Sequence, residues 1–217
     1  MPSSHPLQLN EIIDLVILTD PQKLLDIGVG FGKFGFLSRE YLEMWNSGND
    51  YLHWTRQIDG IEAFEAYLTP MHDQVYDKIF HGDALNILPA MTERYDLILL
   101  IDVLEHFTFE EGLNVLEQCR RCGRNIVISV PKLMSPQGEV YGNPYETHKY
   151  NWNTNDFSFI KDKFFLSNEK STICYIGEDW ERIKFTVRRR KTRNRLKNIL
   201  SFLRLTRILK LLSFLWT

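Results

Sequence analysis

Between residues 23 and 35 the chain reads as an apolar run, a glycine turn and the start of a helix. Lys23-Leu24-Leu25-Asp26-Ile27 has the pattern of a buried strand, Gly28, Gly30 and Gly32 alternate through the turn, and a helical stretch follows over 34–45. A strand that passes through a tight turn into a helix is the first half of a crossover, and crossovers build parallel sheets covered on both faces. Residues without a Cβ also let a ligand approach the backbone closely at the helix start.

The rest of the chain repeats this alternation. Residues 58–62, 78–81, 95–101 and 125–130 read as further strands, and 11–18 and 109–122 as helices, the latter stopped by Gly123. Residues 95–101 are the most continuously apolar run, as expected at a sheet centre buried on both faces. Residues 164–176 and 182–187 read as two strands of an antiparallel hairpin around Gly177-Glu178-Asp179. Together these predict a doubly wound α/β sheet with an antiparallel strand near one edge.

With 44% hydrophobic residues in 217, the chain can bury one sizeable core, which excludes a disordered segment. Three cysteines, Cys119, Cys122 and Cys174, cannot make a disulfide framework and fit a reducing, cytoplasmic compartment. Cys119 and Cys122 read as ordinary helix-end residues, and no metal-ligand set emerges from the spacing. The start lacks a secretory pattern, and no apolar run is long enough to span a membrane. The formal charge of −2 hides an asymmetry: residues 188–217 hold ten Lys and Arg and no acid, whereas all 28 acids lie before them. The expected organisation is therefore a domain over 1–187 and a basic amphipathic helical tail over 188–217.

Acids stand at successive strand ends. Asp26 closes the first strand, where a carboxylate repels a pyrophosphate and welcomes an ammonium group, as in S-adenosylmethionine. Glu62 closes the second and can accept from ribose hydroxyls, which fits either kind of nucleoside cofactor. Asp83, with Ala84 after it, follows the third and can accept from an adenine amine while the next N–H donates to the ring. Gly30, Gly32 and Gly35 also satisfy a dinucleotide pattern, so a nicotinamide-dependent oxidoreductase is the alternative enzyme class.

Taken together, Leu24 through Gly32, Gly60-Ile61-Glu62, Gly82-Asp83-Ala84 and Tyr95 through His106 resemble the class I S-adenosylmethionine-dependent methyltransferase family. The resemblance implies a Rossmann-like seven-stranded sheet with the last strand antiparallel, and S-adenosylmethionine as cofactor. It also implies that Asp26, Gly28, Gly30 and Gly32 hold the methionine end, Glu62 the ribose, and Asp83 with Ala84 the adenine. Asp102 is then expected beside the sulfonium.

Methyl transfer needs alignment and exclusion of water, and a base only for a hydroxyl or a protonated amine. Asp102 is not followed by the paired prolines of nucleobase amino-methyltransferases, which disfavours a nucleic-acid substrate. Leu104-Glu105-His106 is instead similar to methyltransferases of small molecules and sugars, with His106 ordering the site or acting as a base. Residues 136–152 form a long loop over the ligand edge. There His148 is the expected general base and Glu146 its orienting partner, while Tyr145, Tyr150 and Trp152 offer flat faces to an acceptor. The same residues also fit a packed surface loop. The aromatic-rich connection over 41–54 can wall the acceptor pocket or pack in the core.

The tail pairs Arg188 through Arg195 with an apolar-rich stretch whose Ile208, Leu209, Leu212, Leu215 and Trp216 share one side. That composition fits peripheral attachment to an anionic membrane on its inner face, or docking on protein, with nucleic acid the weakest reading. The expected function is O-methylation of a sugar or other small acceptor. A non-catalytic adaptor that keeps the cofactor pocket is a further alternative, and an oligomer is compatible with the sequence.

Overall fold

A computed structural model describes residues 4–44, 54–133 and 135–202. Two compact units are distinguished, Met1–Trp180 and Glu181–Thr217. The first contains seven strands: β1 (Lys23–Ile27), β2 (Gln57–Glu62), β3 (Lys78–His81), β4 (Tyr95–Ile101), β5 (Gly123–Pro131), β6 (Lys163–Ser167) and β7 (Ser171–Gly177). They form one sheet in the order β3-β2-β1-β4-β5-β7-β6. β1 to β5 are parallel, and β7 lies antiparallel between β5 and β6. The seven-stranded sheet with an antiparallel last strand is the expected one.

The helices of this unit are α1 (Leu9–Thr19), α2 (Lys33–Arg39), the short α3 (His72–Val75), α4 (Ala84–Ala90) and α5 (Phe109–Cys122). Local chemistry sets their ends. α1 stops at Asp20, whose left-handed backbone (φ 53°) lets its N–H reach the Val16 carbonyl. α5 starts with a reciprocal pair of bonds, Thr108 side chain to Glu111 N–H and Glu111 side chain to Thr108 N–H. β4 carries the centre of the core: Leu97 through Leu100 are fully buried, because helices cover both faces of a central parallel strand. All three cysteines are free and buried, and burial pushes the Cys119 thiol up, so the C-x-x-C pair is packing at the end of α5.

One strand expectation is corrected. Residues 182–187 are helical and belong to α6 (Trp180–Phe202), and both hairpin strands lie within 163–177. The turn sits at Asn168, whose Oδ1 accepts from the N–H groups of Lys170 (2.9 Å) and Ser171 (2.8 Å). That turn has no glycine or proline, so the segment reads as one long strand. The alternation in Arg182-Ile183-Lys184-Phe185 then looks like its partner, although the basic residues beyond it extend a helix. The expected boundary at residue 187 falls inside α6. The helix predicted over 34–45 is α2 followed by a wider π turn, Glu40–Met44. Most of the aromatic connection, and the apolar stretch of the tail from 203 onward, lie outside the described residues.

Candidate functional site

The carboxyl ends of β1 to β4 open into a cavity of about 820 Å³. That is within the range of about 300–1,000 Å³ usual for ligand sites, and it lies where ligands bind in open parallel sheets. Gly28, Glu62, Asp83, Ala84, Asp102, His106, Glu146 and His148 line it, whereas Asp26, Gly30 and Gly32 do not.

Gly28 makes the first turn possible. Its φ is +76°, and a Cβ there would sit 2.5 Å from Val103 Cγ2, so a side chain is excluded twice over. The turn is tied to β2 by the N–H groups of Gly28 and Val29, both donating to the Ile61 carbonyl. Glu62 completes the tie. Its Oε2 accepts from Gly30 N–H (2.8 Å) and its Oε1 from Phe64 N–H (2.9 Å). Burial pushes the Glu62 carboxyl up, and these N–H bonds oppose the shift.

Asp26 does not face the cavity. It is 2% exposed and accepts from the Tyr76 hydroxyl at 2.7 Å, beneath the glycine turn. The Tyr76 oxygen in turn accepts from Gly35 N–H at 3.2 Å. A Cβ on Gly35 would lie 2.4 Å from that oxygen, so the third glycine of the dinucleotide pattern makes room for a tyrosine. Asp26 thus supports from below the turn expected to hold the methionine end. Burial raises the Asp26 carboxyl from 3.8 to about 7. A folded-state value above the unfolded one means that the folded protein holds the proton more tightly. Stability is then greatest below the unfolded value and falls as pH rises through about 7. We expect the wild-type protein to lose about 2–3 kcal/mol between pH 5 and pH 8 from this group. Asp26→Asn should lack that loss, which urea titrations of both proteins at the two pH values would read.

Asp83 caps α4, its Oδ1 accepting from Leu85 N–H at 2.9 Å. Asp102 has a left-handed backbone (φ 54°) just past β4. Its carboxylate is held by Gln8 Nε2 (2.6 Å) and the Ser129 hydroxyl (2.7 Å), and Ser129 also touches Gln8 Oε1. The turn before α1 and the strand β5 thus aim an acid left by β4.

The opposite wall comes from 104–106 and the long loop. His106 Nδ1 lies 3.3 Å from the Thr147 carbonyl, and burial lowers this imidazole to about 4, so it is neutral at ordinary pH. His148 Nδ1 lies 2.8 Å from the Ser135 carbonyl. A carbonyl only accepts, so each Nδ1–H donates to one, and the Nε2 of neutral His106 keeps its lone pair. The two rings are 5.2 Å apart. The group on His148 Nδ1 is thus a backbone carbonyl, not the expected Glu146 carboxylate. Glu146 is buried and accepts from Tyr67 Oη (3.3 Å) and Gln137 Nε2 (3.4 Å).

Of the three loop aromatics, Tyr145 lines the cavity. Tyr150 and Trp152 do not: they pack with Phe109 at 5.0 and 5.5 Å, and Trp152 is 2% exposed. The described end of the aromatic connection, Trp54, stacks over Arg39 at 5.3 Å and donates to the Gln74 carbonyl, away from the cavity. Tyr67, which meets Phe31 at 5.1 Å and Glu146, and the Gln8–Ser129 pair were not legible beforehand. None sits in a local pattern that marks it.

No protein-family model matches the sequence, and no curated protein matches it significantly. Solved structures match in fold. An O-methyltransferase-like protein from Nostoc punctiforme aligns with TM-score 0.56 at 13% identity, over 80% of this chain and 57% of that one. An O-methyltransferase family protein from Burkholderia thailandensis aligns with TM-score 0.57 at 11% identity, over 79% of this chain and 56% of that one. The chain thus spans little more than half the length of either. The magnesium protoporphyrin IX methyltransferase of Synechocystis, solved with bound S-adenosylhomocysteine, aligns with TM-score 0.54 at 12% identity, over 79% of this chain and 83% of that one. The chain has the fold of the class I S-adenosylmethionine-dependent methyltransferases.

Proposed function

We propose that the protein is an S-adenosylmethionine-dependent methyltransferase acting on a hydroxyl of a sugar or other small acceptor. The observation that carries this reading is the convergence of Gly28, Glu62, Asp83 and Asp102, from four successive strand ends, on one cavity. Gly28 offers bare backbone to the methionine end, and Glu62 accepts from the ribose hydroxyls. Asp83 accepts from the adenine amine beside Ala84 N–H, and Asp102 lies beside the sulfonium. A cavity rich in acids favours a cationic cofactor over a pyrophosphate. The antiparallel β7 also departs from the six-strand dinucleotide order, which weighs against the oxidoreductase alternative. Gly30, Gly32 and Asp26 shape the turn that holds the methionine end.

The acceptor belongs on the wall of His106, Tyr145, Glu146 and His148. His148 acts on the acceptor oxygen through Nε2, with Ser135 in the orienting role expected of Glu146; neutral His106 orders the loop through Thr147. Residues 1–187 carry this chemistry. Residues 188–217 hold the protein against an anionic membrane, on its cytoplasmic face. In support, residues 188–197 carry seven basic side chains and no acid, each adding about 1 kcal/mol near such a surface. Among the described residues no helix is long and apolar enough to cross a membrane.

Transfer of labelled methyl from S-adenosylmethionine into lysate separated into lipid-linked, soluble and nucleic-acid pools tests the reading. Label is expected in the lipid-linked or soluble glycan pool, and less of it in the lipid-linked pool when Arg188, Arg189 and Arg190 are changed to Gln. Label confined to nucleic acid would overturn the acceptor class. S-adenosylhomocysteine binding with no label in any pool would favour the adaptor.

A further inference from the structure

We propose that Glu105, His106 and His148 form a site for a divalent transition-metal ion on the acceptor wall of the cavity. One ligand-capable atom from each residue lies within 4.8 Å of those of the other two, and all three line the cavity. Metal bonds of about 2.0–2.2 Å place such donors roughly 3–4 Å apart, so side-chain shifts of about 1 Å close the set.

Two independent observations point to a ligand. The first is Glu105. It is 3% exposed, and its Oε2 is buried without a hydrogen-bond partner. A carboxylate in that state is costly unless a cation faces it. The second is the pair of backbone carbonyls that hold His106 and His148 at Nδ1. Metal-binding imidazoles are commonly oriented in this way, with the other nitrogen presented to the ion. The frame is also tied together: the Glu105 carbonyl accepts from Lys149 N–H at 2.7 Å and Tyr150 N–H at 3.3 Å, which draws the loop of His148 onto the segment of His106.

Two imidazoles and one carboxylate suit zinc, manganese, iron(II) or cobalt better than magnesium or calcium. Three protein ligands leave positions open toward the cavity. This role rests on the methyltransferase reading. A hydroxyl of the acceptor bound at an open position gives its proton to cavity water; its oxygen then bonds to the methyl carbon as the carbon–sulfur bond breaks, leaving a methyl ether and S-adenosylhomocysteine. With the ion bound, His148 Nε2 is a ligand and takes no proton; its direct action on the acceptor oxygen, proposed above, belongs to the metal-free site. Spacing alone does not mark the set, because His106 and His148 are 42 positions apart and match no short metal motif.

The test uses the full chain, stripped with a chelator and titrated with Co²⁺, with bound metal read by visible absorption. S-adenosylhomocysteine binding is measured calorimetrically on the same samples. One equivalent of Co²⁺ is expected to bind, and His148→Ala and Glu105→Gln should each weaken it by about 100-fold or more while the folded variants still bind S-adenosylhomocysteine. Wild-type protein that binds S-adenosylhomocysteine but not Co²⁺ would overturn the site and leave the methyltransferase reading standing. Co²⁺ binding unchanged by both substitutions would also overturn it. Co²⁺ binding sensitive to both, without S-adenosylhomocysteine binding, would keep the site and remove that reading.

Discussion

Trp152→Ala is expected to destabilise the protein by about 3–5 kcal/mol, the usual cost of deleting a large buried aromatic. Trp152 is 2% exposed and packs against Phe109, Tyr150 and Phe157 at 5.3 to 5.5 Å. Its Nε1–H donates to the Leu104 carbonyl at 2.9 Å. α5 is shaped to receive the ring: a Cβ on Gly112 would lie 2.3 Å from Trp152 Cζ2. The substitution therefore leaves a cavity and removes one of the two hydrogen bonds to the Leu104 carbonyl, which keeps that from Phe107 N–H at 3.1 Å. Trp152→Phe keeps most of the packing and loses the hydrogen bond, and should cost about 1–2 kcal/mol. Urea titration reads both. A loss under 1 kcal/mol for the alanine variant would mean that this residue is not the anchor of the loop. Because Leu104 directly precedes Glu105 and His106, the same anchor sets the acceptor wall.

Glu62→Ala is expected to weaken S-adenosylhomocysteine binding by about 100-fold or more. Two hydrogen bonds to a charged group are worth about 3 kcal/mol or more, at 1.4 kcal/mol per tenfold. The substitution also leaves the N–H groups of Gly30 and Phe64 without their Glu62 acceptor, so the turn loosens as the proposed ribose contacts are removed. Glu62→Gln keeps one acceptor oxygen and should fall between wild type and alanine. Calorimetry measures the affinity, and a urea titration separates it from the loss of stability. Affinity within threefold of wild type in a folded Glu62→Ala protein would remove Glu62 from the ribose site.

The site was legible in the sequence where strand ends and turns mark it. Gly28, Glu62, Asp83 and Asp102 each follow a run whose periodicity identifies it as a strand, and topology carries all four ends to one edge of the sheet. Asp26 has the same local signature yet points below the turn, because Tyr76, fifty positions later, occupies the space beside it. Tyr150 and Trp152 looked like acceptor contacts, since an aromatic in a long loop carries no local sign of whether it turns inward. The hairpin of β6 and β7 was misplaced for a related reason: its turn rests on one asparagine side chain and lacks glycine and proline.

The sequence by itself determined the parallel strands, the glycine turn and the acids that end the strands. Those features follow from sterics and periodicity over a few neighbouring residues. Tertiary structure alone decided which acids reach the cavity, which loop aromatics anchor instead of line, and that Glu105, His106 and His148 meet. Such meetings depend on packing between segments far apart in the chain, and packing leaves no local pattern to read.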